Sequence, residues 1–147
     1  MFKHILVATD GSKLSQKAIR AAVRLAKATG ADLNGAYVIA PYVAPYGEAV
    51  MYVATISAGR YRTVTRREAR KALAAIEIEA GAAGVSYQGV VLTADSPWEG
   101  IIAAAKRKKC DLIVVASHGR RGLAGLILGS ETSKVLTHSR IPVLVCR

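Results

Sequence analysis

The residues best placed to do chemistry form one block, Ser117-His118-Gly119-Arg120-Arg121-Gly122-Leu123-Ala124-Gly125-Leu126-Ile127-Leu128-Gly129-Ser130. It follows the aliphatic run Leu112-Ile113-Val114-Val115-Ala116 and precedes a segment with helical character. The order is therefore strand, glycine-rich loop, helix start, which suits a polyphosphate. Glycines let backbone amides approach an anion closely, and a helix opening at Gly129-Ser130 aims its unpaired N–H groups and positive dipole end at it. Glycine spacing alone is equally compatible with a loop that merely turns the chain.

A second polar group closes the N-terminal run, Thr9-Asp10-Gly11-Ser12. Asp10 can accept hydrogen bonds from sugar hydroxyls, or act only as a turn residue ahead of Gly11. His118 has no evident partner acid or nucleophile in sequence, so a hydrogen-bonding role in the loop is expected. The lysine-bearing G-x-x-x-x-G-K-[ST] loop and the kinase-type loop with its catalytic aspartate are missing, so an efficient phosphoryl-transfer enzyme is not expected. At most, slow ATP hydrolysis is.

The elements that must position these groups alternate from end to end. Strands are predicted over Phe2 to Ala8, Asp32 to Ile39, Val85 to Thr93, Asp111 to Ala116 and Pro142 to Cys146. Between the first two, Leu14, Ala18, Ala21, Ala22, Leu25 and Ala28 recur with helical period, and Gly30 ends that helix. Ala69, Ala72, Leu73, Ile76, Ala80 and Ala83 mark one face of a long helix. Ser96-Pro97-Trp98-Glu99 reads as a capping box with proline at the first helical position. A last helix runs from Ser130 to about Ser139. Such alternation predicts a single α/β domain over residues 1–147, doubly wound around a mostly parallel five-stranded sheet with about four helices. Ligands of such sheets bind beyond the carboxyl ends of the strands, where the winding reverses. If the first and fourth strands are neighbours, Thr9-Asp10 and Ala116 to Gly119 line one crevice.

Composition narrows the remaining classes. With 147 residues, 52% hydrophobic and 21% charged, the chain is long enough for a core and is not disordered. No apolar stretch reaches the roughly 20 residues of a membrane span, and no signal peptide is evident, which points to the cytoplasm. Cys110 and Cys146 lack disulfide-framework or metal-ligand spacing and read as small apolar residues. The formal charge of +11 favours polyanions. Its clusters, Arg66-Arg67, Arg70-Lys71 and Lys106-Arg107-Lys108-Lys109, fall on predicted helices and read by default as solvated faces. With few aromatics interleaved, nucleic acid is set aside as a partner. The segment Pro41 to Gly59 is assigned no role.

With these elements placed, the chain resembles the universal stress protein family. The likeness rests on Ile5-Leu6-Val7-Ala8-Thr9-Asp10-Gly11-Ser12, on Ser117-His118-Gly119-Arg120-Arg121-Gly122-Leu123, on Gly129-Ser130 and on Ile141-Pro142-Val143-Leu144-Val145, and it covers essentially the whole chain. It implies a Rossmann-like fold of the adenine nucleotide alpha hydrolase type. It also implies a stress-response protein that binds ATP, or another adenine nucleotide, with Mg²⁺ on the phosphates. The family's nucleotide-binding loop, G-x2-G-x9-G-[ST], corresponds to Ala116, Gly119 and Gly129-Ser130, with alanine in place of the first glycine. A positive φ at Ala116 would cost about 1 kcal/mol or more, whereas an extended conformation would tolerate the methyl.

The resemblance places Asp10 at the base and ribose end, flanked by Ala8 and Thr9; Ala8 stands where some relatives have proline. Val38 corresponds to an adenine-contacting backbone position, and Val115 and Ala116 to residues beside the ribose. Gly119, Gly129, Ser130, Glu131 and Thr132 correspond to the phosphate-contacting region, and Arg120 can add charge there. The Glu131 side chain is expected to face solvent. The family also pairs its last strand with a second copy, so a homodimer through Pro142 to Cys146 is expected. A nucleotide-independent homodimeric interaction protein and, on charge alone, a nucleic-acid-associated protein are the alternatives.

Overall fold

In the computed structural model, which describes residues 1–44, 57–119 and 128–147, five strands and four helices alternate. They are β1 (His4–Ala8), α1 (Lys13–Thr29), β2 (Asp32–Ile39), α2 (Ala58–Ala83), β3 (Tyr87–Thr93), α3 (Pro97–Arg107), β4 (Leu112–Ala116), α4 (Ser130–His138) and β5 (Val143–Cys146). The strands lie in the order β3-β2-β1-β4-β5 and every pairing is parallel. The winding thus proceeds outward from β1 through β2 and β3, then returns to the other side of β1 for β4 and β5. β1 and β4 are neighbours, and the reversal falls between them.

Strand alternation divides the core between two faces. Ile5 and Val7 of β1 join Leu112 and Val114 of β4 beneath α1 and α2, packed by Ile19, Val23, Ile76 and Ala80. Leu6 of β1 and Ile113 and Val115 of β4 turn the other way, against Ile101 and Ala104 of α3 and Val135 of α4. Helices on both faces explain why the strands read as continuous apolar runs.

Several predicted boundaries shift for local reasons. β3 begins at Tyr87 because Gly84 takes the left-handed conformation (φ 70°) and the Val85 amide still bonds the Ala80 carbonyl, closing α2. α1 starts at an N-cap, Ser12, whose hydroxyl accepts from the Ser15 amide at 3.2 Å. Before α3, Ser96 occupies the N-cap and Pro97 the first turn, but the expected capping box does not form: no side-chain cap bond is made by Ser96. The last strand starts at Val143, while the Pro142 carbonyl accepts from the Ile113 amide at 2.9 Å.

Candidate functional site

The carboxyl ends of β1 and β4 bring Asp10 and Gly119 into direct apposition. A methyl group built on Gly119 would lie 2.7 Å from Asp10 Oδ2, so only glycine lets the loop after β4 approach the acid this closely. The other oxygen, Oδ1, accepts from the Ser12 amide at 2.9 Å, which fixes the carboxylate in a turn ahead of α1. Turn residue and crevice residue are therefore the same side chain. Gly11, at φ 78°, supplies the left-handed step that the turn requires.

Thr9, beside Asp10, is buried and committed to the scaffold. Its amide donates to the Ala36 carbonyl at 3.0 Å, its hydroxyl accepts from the Gly11 amide at 3.1 Å, and that hydroxyl shares a hydrogen bond with Ser15 Oγ at 3.0 Å. Ser15 in turn donates to the Ser12 carbonyl at 2.7 Å. This buried Thr9–Ser15 pair was not singled out in the sequence; the only signal is the three-residue spacing from Ser12 to Ser15 ahead of the helix.

Ala116 ends β4 in register with Cys146. Among the described residues Lys109 is the only non-glycine with positive φ. Ala116 thus sits in the conformation that tolerates a methyl group, and Val115, buried below it, packs on the α3 and α4 side. Ser117 closes the neck of the loop: its amide donates to the Cys146 carbonyl at 2.7 Å, and its carbonyl accepts from the Gly129 amide at 2.7 Å. The Ser117 hydroxyl and His118 Nδ1 are 3.1 Å apart, and Ser117 is only 1% exposed, so the contact lies inside the neck of the loop. Arg120 lies outside the described residues.

Gly129 is the N-cap of α4, with an extended φ of −74°. Its requirement for glycine is one of space, since a methyl group there would lie 3.0 Å from His118 Cβ and 3.1 Å from His118 Cα. No side chain caps α4. Ser130 is exposed in its first turn, and the buried Thr132 hydroxyl donates to the Ala116 carbonyl at 2.8 Å, tying that turn to the end of β4. Positive dipole, loop neck and strand end are thereby held together.

Glu131 departs from expectation. Its carboxylate turns to α3, where Oε2 accepts from the Trp98 amide at 3.0 Å, and Oε1 pairs with Lys134 at 3.4 Å. The side chain supplies the cap that Ser96 does not, at the positive end of α3. Trp98 also stacks on His138 with ring centroids 4.5 Å apart, joining the two helices. Val38, near the carboxyl end of β2, packs beneath α3: a methyl group on Gly100 would come within 2.7 Å of both its terminal carbons.

Two shallow clefts lie among the described residues. One of about 240 Å³, lined by Gly11, Gln16, Glu68, Lys71, Ala72 and Ala75, separates the β1 turn from α2. Another of about 200 Å³ opens at the amino ends of β1 and β2, beside His4, Asp32 and Lys108. Among the described residues no group of three or more His, Cys, Asp or Glu is placed to hold a metal ion, and no helix is long and apolar enough to cross a membrane. Cys110 is buried, and desolvation, reinforced by Asp111 and opposed by Lys108, pushes its thiol up to about 11. Burial also raises the Cys146 thiol.

A family model described as the universal stress protein family matches residues 1–147. The chain belongs to the universal stress protein family. It is 36% identical over 149 residues to the universal stress protein YxiE of Bacillus subtilis, covering 100% of both chains. Among solved structures, it matches the universal stress protein UspA from Lactobacillus plantarum with a TM-score of 0.78 at 25% identity, covering 99% of this chain and 97% of that one. A universal stress protein crystallised in complex with cAMP matches with a TM-score of 0.73 at 25% identity, again covering 99% and 97%. These two solved structures share the α/β fold, with its parallel five-stranded sheet, that the alternation of elements predicts.

Proposed function

We propose that this universal stress protein is a single domain over residues 1–147 that binds an adenine nucleotide, ATP with Mg²⁺, across the carboxyl ends of β1 and β4, and acts as a nucleotide-dependent sensor or regulator of the stress response in the cytoplasm. The observation that carries the proposal is the apposition of Asp10 and Gly119 at the point where the winding reverses, beside the N-terminus of α4. The relative crystallised with cAMP supports an adenine nucleotide as the ligand class.

The residues present fit such a ligand. Gly119 lies too close to Asp10 for a methyl group without a shift, Gly129 leaves only tight room beside His118, and Ala116 has no positive φ. Asp10 is the acceptor for ribose hydroxyls, with Ala8 and Thr9 beside it, while Val38 and Val115 lie at the base and ribose side together with Ala116. The amides of Gly119, Ser130, Glu131 and Thr132 provide the phosphate region, and Arg120 adds charge. The side chains of Thr9 and Thr132 are engaged within the fold, so they serve through their backbone. The bound metal would screen phosphate charge. No catalytic group is assigned, and hydrolysis, if measured, is slow.

The edge position of β5, with Leu144 39% exposed, supports a homodimer formed by pairing β5 with its own copy. A dimer working without nucleotide is the second reading, and the same edge favours it. Calorimetric titration of nucleotide-free protein with ATP and Mg²⁺ separates the two. Micromolar binding that disappears in Gly129→Glu supports the nucleotide site; no binding by the wild type leaves the dimer reading.

A further inference from the structure

The charges on α2 run against its own dipole. Between residues 60 and 71 stand Arg60, Arg62, Arg66, Arg67, Arg70 and Lys71 with one acid, Glu68, whereas residues 72–83 hold Glu77 and Glu79 and no cation. The first turn of α2 contains no acid and its last turn no base. A helix arranged for its own stability has the opposite polarity, with acids first and bases last. All six cations are exposed, and among the described residues none of them takes part in an ion pair. Their concentration opposes the helix dipole and, among the described residues, no carboxylate pairs with them, which suits an anion from outside.

The spacing defines the shape of that anion. Arg62, Arg66 and Arg70 follow one another every fourth residue and wind outward from the flank of the Ala69–Ile76 face, while Arg60, Arg67 and Lys71 form a second row opposite that face. From Arg60 to Lys71 the helix rises about 16 Å, enough to cross a major groove roughly 12 Å wide and reach phosphates on both rims. Five of the six are arginines, whose planar guanidinium forks suit phosphate oxygens. The exposed rows hold no aromatic side chain for stacking on unpaired bases; Tyr61 is engaged with the Ala40 carbonyl at 2.7 Å and with the Tyr42 ring. We infer that the N-terminal half of α2 is a docking surface for the phosphate backbone of a double-stranded nucleic acid, read by charge and not by base sequence.

Lys71 lines the cleft that also holds Gly11 of the β1 turn, so the surface borders the proposed ATP site and the test is made without nucleotide. Anisotropy of a fluorescent 24-base-pair duplex of arbitrary sequence is measured with the full chain between 50 and 200 mM NaCl. Expected is saturable binding whose log affinity falls linearly with log salt. Arg62→Gln/Arg66→Gln/Arg70→Gln should flatten that slope by about 2–3 and weaken binding at least about tenfold at 50 mM salt. Lys106→Gln/Arg107→Gln/Lys109→Gln removes the same charge from the end of α3 and the turn after it, and should change the slope by less than about 1. Should the first variant fail to fold by circular dichroism, Arg60→Gln/Arg67→Gln takes its place. No duplex binding at 50 mM salt, equal losses in the α2 and α3 variants, or stronger retention on phosphatidylserine vesicles than on the duplex overturns the inference.

Discussion

The Glu131 carboxylate accepts the Trp98 backbone amide at 3.0 Å, so the first turn of α4 caps the first turn of α3 across 33 residues of sequence. A single acid thus stands between the proposed phosphate site and the packing of two helices. Replacing it should have opposite effects on the two. Glu131→Ala should lower unfolding stability by about 1 kcal/mol, the usual worth of an N-cap acceptor. It should also tighten ATP binding by about two- to threefold, because a negative charge beside the phosphates is removed. Urea unfolding and calorimetry on the same variant check both.

Gly35 lies beneath α2, where a methyl group would meet Tyr87 Oη at 2.7 Å and Ile76 Cδ1 at 2.8 Å. Tyr87 cannot yield easily: its hydroxyl donates to the Leu73 carbonyl at 3.2 Å, and burial, with Glu77 nearby, pushes its pKa up to about 12. Gly35→Ala should cost about 1–3 kcal/mol through overpacking. Gly81, inside α2 with nothing within 4 Å, should behave in the opposite way, Gly81→Ala adding about 0.5–1 kcal/mol. Denaturant midpoints at constant slope distinguish the two.

Acid sensitivity should centre on Asp111. Its carboxylate accepts the Lys3 amide at 2.8 Å and the His4 amide at 3.1 Å, fastening the start of β1 to β4. Desolvation works to raise its pKa, but the amide donors outweigh it and hold the group below the ordinary carboxylate value. A depressed folded pKa means stability that is present above the unfolded value, near pH 4, and lost as pH falls through the folded one. Asp111→Asn should flatten the stability profile below about pH 4 and leave its slope above pH 5 unchanged, as followed by urea unfolding from pH 2.5 to 6.

The edge strand gives a test of self-association. Val143 and Val145 pack into the core on the α3 and α4 side, so a charge there would damage the fold itself. Leu144 is the exposed member of the Val-Leu-Val run. Leu144→Lys should shift the protein from dimer to monomer in sedimentation velocity while its melting remains cooperative; a dimer that persists would place the interface elsewhere.

The alternation of strands and helices, the core positions Ile5, Val7, Ile76 and Ile113, and the convergence of Asp10 with Gly119 were all legible, because each follows from local periodicity or from the general rule for where parallel sheets gather ligands. What escaped depends on contacts between distant segments. Ser96 and Glu99 have the spacing of a capping box, yet Glu131 takes over as acceptor because α4 packs beside α3, which no local pattern reports. The doubt over Ala116 turned on a single φ value, and residue type alone does not give it. Thr9 looks like a polar crevice residue in sequence but is buried against Ser15 once α1 folds onto β1.

The central claim, a nucleotide site at the carboxyl ends of β1 and β4, is tested most directly by ¹⁵N–¹H correlation spectra of the assigned protein during titration with ATP and Mg²⁺. Saturable shifts are expected on the amides of Asp10, Gly119, Ser130, Glu131 and Thr132, and should be absent in Gly129→Glu. Shifts confined to the amino ends of the strands around His4, Asp32 and Lys108, or no shifts at millimolar ATP, would contradict it.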